Sequence, residues 1–278
     1  MNNISEENKY NILLIITDQE RNNEWIPKSV NLPGRERLKS RSLSFNNHYT
    51  HTSPCSPSRA TIFTGKYIHQ HGVKENSSTN NNTQLNTGYL TLGKSLKDLG
   101  YYTAYKGKWH LQSKPQPQME EFGFADWFGN DMSFWGLPNS GTEYDPLIYK
   151  ETYQWLKNHS HDKKPYMNCS QITKSLSSHT DLARTIIDLA GGSDHQLENF
   201  EGKSLTRLLN DPSKTVRNSV YFAQEWPWYP GVEKVRYANT GYFDGKINYS
   251  RYYGIGGGVT NLGLKKKQKN ESYKRFQI

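Results

Sequence analysis

The sequence predicts an α/β fold with a parallel sheet at its centre and a small antiparallel sheet towards its carboxyl end. Three observations predict it. NILLIITDQ, Asn11 to Gln19, is a continuous apolar run that closes on an acid, the pattern of a parallel strand buried on both faces. Helix-spaced and strand-like segments then alternate through most of the chain. SVYFAQEW, KVRYANTGYF and KINYSRYYG follow late, separated by turns and without helical spacing.

Each element can be justified in order. Asp18 falls at the carboxyl end of the first strand, where functional groups gather in such sheets. LPGRERLKSRSLSFNNHY reads as a short helix and then a strand in which Leu43 and Phe45 alternate with serines. CSPSRATIFTG, Cys55 to Gly65, reads as a helix. Pro57 suits a first turn, because proline has no N–H to leave unpaired there; Ser56 and Ser58 can cap or line it; Gly65 ends the helix. ENSSTNNNTQLN is a polar surface loop. Leu92, Leu96 and Leu99 have helical spacing before a stop at Gly100. YYTAYKG is a strand, which puts Lys108 and His110 just beyond a second carboxyl end. Phe122 to Pro146 reads as a long structured loop. YKETYQWLKNHSHDKKPYMNCSQI reads as helix then strand, SHTDLARTIIDLAGG as a patterned helix, and EGKSLTRLLND as a short one. There are no internal repeats.

Composition narrows the class. The chain has 278 residues and a mean hydropathy of −0.91, but 7 Trp, 19 Tyr and 10 Phe supply enough apolar area for a core. Net charge is +9, and six Lys or Arg against one Glu lie in Leu264–Ile278. This end reads as a solvated basic tail, not as a nucleic-acid site. Two cysteines, Cys55 and Cys169, make no disulfide framework. The apolar run Ile12–Ile16 is too short for a membrane span or a signal-peptide core. The expectation is a soluble, cytoplasmic protein divided into an α/β domain over 9–192, a small subdomain over 193–260 and a basic tail over 261–278.

Cys55 is out of place for a core residue, because it sits in a polar turn at a helix start. A nucleophile there faces unpaired N–H groups and the positive end of the helix dipole, a natural seat for an anion. Cys55, Pro57, Ser58 and Arg59 resemble the signature of the sulfatase family. YTHTSPCSPSRATIFTGKYIHQHGV resembles the family through its whole length. GYLTLGKSLKDLGYYTAYKGKWHL resembles the second signature, NILLIITDQ the first strand, and SHTDLARTIIDLAGG the late helix. The resemblance runs from about Asn11 to about Gly258, with the motifs in the family's order.

The resemblance implies an alkaline-phosphatase-like α/β/α sandwich and hydrolysis of a sulfate monoester. It implies that Cys55 is oxidised to formylglycine by a formylglycine-generating enzyme. Asp18, with Gln19 and the Cys55 group, would bind a divalent cation, calcium first and magnesium or manganese second. Arg59 would orient the nucleophile, Lys108 would bind a sulfate oxygen, and His110 would act in releasing sulfate. Phosphonate or phosphodiester hydrolysis is the alternative enzyme class, and an inactive remnant the alternative outside enzymes.

The chain also departs from the family. Only TKSLS separates the strand of KPYMNCSQI from the late helix. In relatives a long stretch lies there, carrying a histidine, a lysine and the second half of the metal site. The expected fold is therefore reduced in the middle, shortened near 170–178, with exposed edges that favour self-association and activity that is weak or lost. Asp194-His195 lies in the loop after the late helix and is not expected to replace the missing ligands. His159, His161 and His179 are expected to be solvated.

Overall fold

The computed structural model describes residues 10–18, 20, 26–77, 83–112, 119–128, 140–159, 171–226, 237–253 and 259–266. Helix α1 (Pro33–Lys39) leads to β1 (Leu43–Phe45) and β2 (His48–Tyr49). Next come α2 (Cys55–Thr64), α3 (Ile68–His71), α4 (Leu92–Asp98), β3 (Ala104–Lys106) and β4 (Asp126–Phe128). Then follow α5 (Ser140–His159), β5 (Gln171–Thr173), β6 (Ser177–Ser178), α6 (Thr180–Leu189), α7 (Asp194–Leu197) and α8 (Thr206–Asn210). The last elements are β7 (Val220–Trp226), β8 (Tyr237–Phe243), β9 (Ile247–Tyr253) and β10 (Val259–Lys266).

The parallel layer consists of three short ladders. β1 pairs with β5, β2 with β6 and β3 with β4, all parallel. The carboxyl end of β2 runs into the Cys55 segment, and that of β3 into Lys108–His110. The two ladders are separate, and the two motifs meet through the bonds Arg59 to the Lys108 carbonyl and Ser56 to the His110 carbonyl.

The first strand differs from the expectation. Asn11–Thr17 is extended but belongs to no ladder among the described residues. Ile12, Leu14 and Ile16 pack on the core, while Leu13 and Ile15 are 63% and 70% exposed. The continuous apolar run anticipates two covered faces, and the described elements cover one.

The core lies beneath α2, α4 and α6. Trp109, Leu111, Phe122 and Ala183 are fully buried, and the Phe63 ring packs tilted against Trp109 at a centroid distance of 4.9 Å. α2 packs on α6, and Ala60 and Ala183 are both buried in the core. Gly65 ends α2 at φ 61°, where a Cβ would stand 2.7 Å from the Phe200 ring. Left-handed backbone and close packing together require glycine there.

The carboxyl-terminal sheet is antiparallel, in the order β10-β9-β8-β7. His51 fastens it to the α/β layer. Its Nε2 accepts the Ile68 N–H at 3.2 Å, so Nδ1 carries the proton and donates to the Tyr221 carbonyl at 3.0 Å. Buried Asp181 is a second joint, taking the N–H groups of Ser178 and Lys203 at 2.8 and 2.7 Å and pairing with Arg217.

Four other expectations need correction. Val259–Lys266 pairs antiparallel with β9, so the start of the basic tail is a strand. The rest of the tail lies outside the described residues. The supposed loop from Phe122 contains β4 and the start of α5. Asp194 and His195 form the first turn of α7, capped by Ser193, and are not a loop pair. His179 is buried, not solvated, because it turns under α2. His159 is exposed as expected; His161 and Cys169 lie outside the described residues.

Candidate active site

Cys55 opens α2 as a half-buried free thiol. Pro54 precedes the helix with no side-chain cap, so the first N–H groups need partners elsewhere. Asn76 provides one: its Oδ1 accepts the Ser56 N–H at 3.1 Å. The Ser56 hydroxyl does not cap its own helix. It donates to the His110 carbonyl at 2.5 Å and accepts the Ser77 N–H at 2.9 Å.

Asp18 arrives from the extended segment and gathers the other groups. One carboxylate oxygen, Oδ1, accepts the Cys55 thiol at 3.7 Å; the other lies 2.6 Å from Lys108 Nζ and 3.9 Å from Arg59. Arg59 and Lys108 are held at the backbone too. Arg59 donates to the Lys108 carbonyl at 2.7 Å, and the Tyr105 hydroxyl donates to the same oxygen. Two guanidinium and ammonium cations against one carboxylate leave a net positive site, suited to an anion and to charge-assisted hydrogen bonds.

The segment Lys108–His110 owes its position to Trp109. That indole is fully buried in the core, so the residues on either side turn towards the site. His110 sits at φ 57°, the only non-glycine residue with positive φ among the described residues. Its ring is nearly buried and lies within reach of the Lys108, Arg59 and Asp18 charges. Burial, then the Lys108 and Arg59 cations, push its pKa down to about 4, so it is neutral at pH 7. For Asp18, burial acts to raise the pKa, but the Lys108 hydrogen bond and charge, with Arg59 and Cys55, outweigh it and hold the carboxyl below its usual range.

The structure thus brings together Asp18, Cys55, Arg59, Lys108 and His110 from three separate stretches. Gln19 lies outside the described residues. Sequence reasoning missed Asn76, which looked like part of a polar loop, and the bridging role of Ser56. It also missed His179, whose Nδ1 lies 3.1 Å from the Ser58 hydroxyl beneath α2. The SHTD stretch is polar, and nothing in its spacing signals that its histidine is covered by β2 and α2.

The described residues do not make a complete divalent-cation site. Among the described residues no group of three or more His, Cys, Asp or Glu side chains is placed to hold a metal ion. Asp18 is the one carboxylate at the site, and both its oxygens are engaged. Hard divalent cations take six or more oxygen ligands. Lys174–Leu176 alone join β5 to β6.

Comparison with known proteins identifies the family. The sulfatase family profile matches residues 10–168, more than half of the chain. An N-acetylglucosamine-6-O-sulfatase of Bacteroides thetaiotaomicron is 34% identical over 149 residues, covering 52% of this chain and 24% of that protein. The chain spans about a fifth to a quarter of the length of the first curated relatives it matches. The solved structure of a putative sulfatase, YidJ, from Bacteroides fragilis matches with a TM-score of 0.62 at 14% identity, over 86% of this chain and 84% of that one. A phosphonate monoester hydrolase from Silicibacter pomeroyi matches with a TM-score of 0.62 at 13% identity, over 96% and 91%. The fold is the alkaline-phosphatase-like α/β sandwich, reduced in its middle and completed by a small antiparallel sheet, and the chain belongs to the sulfatase family.

Proposed function

We propose that this chain carries the nucleophile half of a sulfate ester hydrolase, and that its turnover is slow. The observation that carries the reading is the convergence of Lys108, Arg59 and the Cys55 thiol on the single carboxylate of Asp18. The Cys55 sulfur stands where a formylglycine aldehyde would be after oxidation. That aldehyde, once hydrated, supplies an oxygen nucleophile for the sulfur of the ester and a second hydroxyl through which sulfate is expelled. Lys108 binds a sulfate oxygen and offsets charge there as the ester oxygen leaves. Arg59 orients the Cys55 group and shares that charge. Neutral His110 accepts a proton from the Cys55 group as sulfate departs.

A divalent cation, calcium first, is the cofactor this reading entails, with Asp18, Gln19 and the Cys55 group as ligands. Among the described residues Asp18 alone brings a carboxylate to this site, so every step above rests on the protein's own side chains.

The same positive seat suits a phosphonate monoester, and the likeness to a phosphonate monoester hydrolase favours that as the second reading. The two differ in the leaving anion, and a panel of aryl sulfate, phosphodiester and phosphonate separates them. The test of the first reading begins with mass. After co-expression with a formylglycine-generating enzyme, the tryptic peptide holding Cys55 shifts to the aldehyde mass. An unshifted peptide beside a converted control substrate removes the nucleophile from the account.

A further inference from the structure

A cleft of about 440 Å³ opens where the amino ends of β2 and β6 meet the antiparallel sheet. Ligand pockets run from about 300 to 1,000 Å³. Its walls are the start of β2, the short Lys174–Leu176 link, the segment before β7 and the turn after β8. None of its lining residues belongs to the Asp18–Cys55–Lys108 cluster, which lies past the carboxyl ends of β2 and β3.

The walls are held in place by hydrogen bonds of their own. Asn47 donates from Nδ2 to the Lys174 carbonyl at 2.8 Å, and the Ser175 hydroxyl accepts the Val216 N–H at 3.2 Å. Asp244 fixes its turn by accepting the N–H groups of Lys246 and Ile247 on Oδ1, at 2.8 and 2.7 Å. A site built in this way has little ordering left to do on binding.

The lining offers more donors than it can use. Lys174 is exposed, and among the described residues no hydrogen bond or ion pair reaches its ammonium. The Arg217 side chain is 9% exposed; Nη2 pairs with Asp181, Nη1 donates to the Ser219 carbonyl at 3.3 Å, and the buried Nε has no partner. A charged donor left unmade in this way favours a ligand that brings an acceptor. Asp244 is the one carboxylate in the lining. With Oδ1 committed to its own turn, it keeps an oxygen for a ligand hydroxyl, and Asn218 adds an amide that can donate or accept. Tyr49 and Phe243, with ring centroids 5.3 Å apart at 55°, supply the apolar wall.

We propose that this cleft binds an acidic sugar. Its oxyanion sits against Lys174 and Arg217, its hydroxyls meet Asp244 and Asn218, and the C–H face of its ring lies on Tyr49 and Phe243. The site is separate from the sulfate seat and does not rest on the function proposed above.

The experiment is a titration of the full chain, with Cys55 unmodified, followed by its backbone amide magnetic-resonance spectrum. The probes are glucuronate, glucose 6-phosphate and glucose. The expected result is saturable shifts at Lys174, Leu176, Asn218 and Gly245 with at least one of the two anions, and binding of glucose weaker by about tenfold or more. A preference between the anions tells a carboxylate from a tetrahedral oxyanion. Lys174→Met changes an exposed side chain and leaves the core intact; it weakens the bound anion by about tenfold or more, and Lys174→Arg restores it. The proposal is overturned by the absence of saturable shifts with either anion, by glucose binding as well as they do, by shifts confined to Asp18 and Lys108, or by full affinity in Lys174→Met. Turnover is not read, so a protein without sulfatase activity counts only against the function proposed above.

Discussion

Asp18 and Lys108 stand 90 residues apart in the chain and 2.6 Å apart in the fold. The bond ties the end of the first extended segment to the loop after β3, and Cys55 meets the other oxygen of the same carboxylate. Removing the ammonium leaves burial as the leading influence on Asp18. Lys108→Met should therefore raise the Asp18 pKa towards or above its ordinary value, read from its carboxyl carbon shift against pH. It should also weaken inorganic sulfate binding by about tenfold or more, the worth of one hydrogen bond to a charged group. Unchanged sulfate affinity would mean that Lys108 serves Asp18 and not the anion.

Calcium should bind poorly. With one described carboxylate at the site, the dissociation constant is expected on the order of millimolar or weaker. Calorimetry on the formylglycine-bearing protein measures it. Micromolar binding abolished by Asp18→Ala would reveal ligands outside the described residues or in a second chain.

Trp109 joins core and site. Its truncation to alanine removes a fully buried indole that touches Phe63, Tyr105, Phe122 and Phe124, and such losses cost roughly 3–5 kcal/mol. The melting temperature should fall by roughly 10 °C. A shift of a degree or two would show that the Lys108–His110 segment is not anchored through this ring.

Acid should destabilise the fold well above the carboxylate range. Burial is the leading cause that lowers the pKa of His48 and His51 to about 4 and of His71 and His179 to about 3. The unfolded chain takes up these protons near pH 6.5, the folded chain only far below it. Below pH 6.5 the unfolded state therefore binds more protons, and stability falls as pH drops towards 4; above it these groups contribute no pH dependence. His51 alone forfeits roughly 3 kcal/mol by pH 4. Asp18, with its lowered pKa, adds its own loss only below the ordinary carboxylate range. Thermal melts at pH 7.5, 6 and 5 check this, and a constant melting temperature across that range contradicts it.

The comparison of sequence with structure is instructive at particular residues. That Cys55, Arg59, Lys108 and Asp18 lie together was legible because helix starts and strand ends gather on one side in parallel α/β folds, and because their motifs resemble a family. Leu13 and Ile15 misled: an apolar run reports a preference for burial on two faces, and whether a second layer exists to cover them depends on distant parts of the chain. Asn76 and Ser77 were hidden for a related reason. They lie in a polar stretch, and only the tertiary contact with Ser56 separates a clasp from a surface loop. His179 shows the converse, since a polar neighbourhood in sequence does not stop a histidine from being covered by elements far away.

The most direct test of the account is turnover of an aryl sulfate by purified protein with formylglycine confirmed at Cys55 and calcium in excess. Loss of one preorganised charge-stabilising donor costs about a hundred- to a thousandfold in rate. The expected result is hydrolysis at least a hundredfold slower than that of an intact family member and abolished by Cys55→Ala. A rate near that of the intact enzyme and lost in Asp18→Ala, or a rate that Cys55→Ala leaves unchanged, contradicts it.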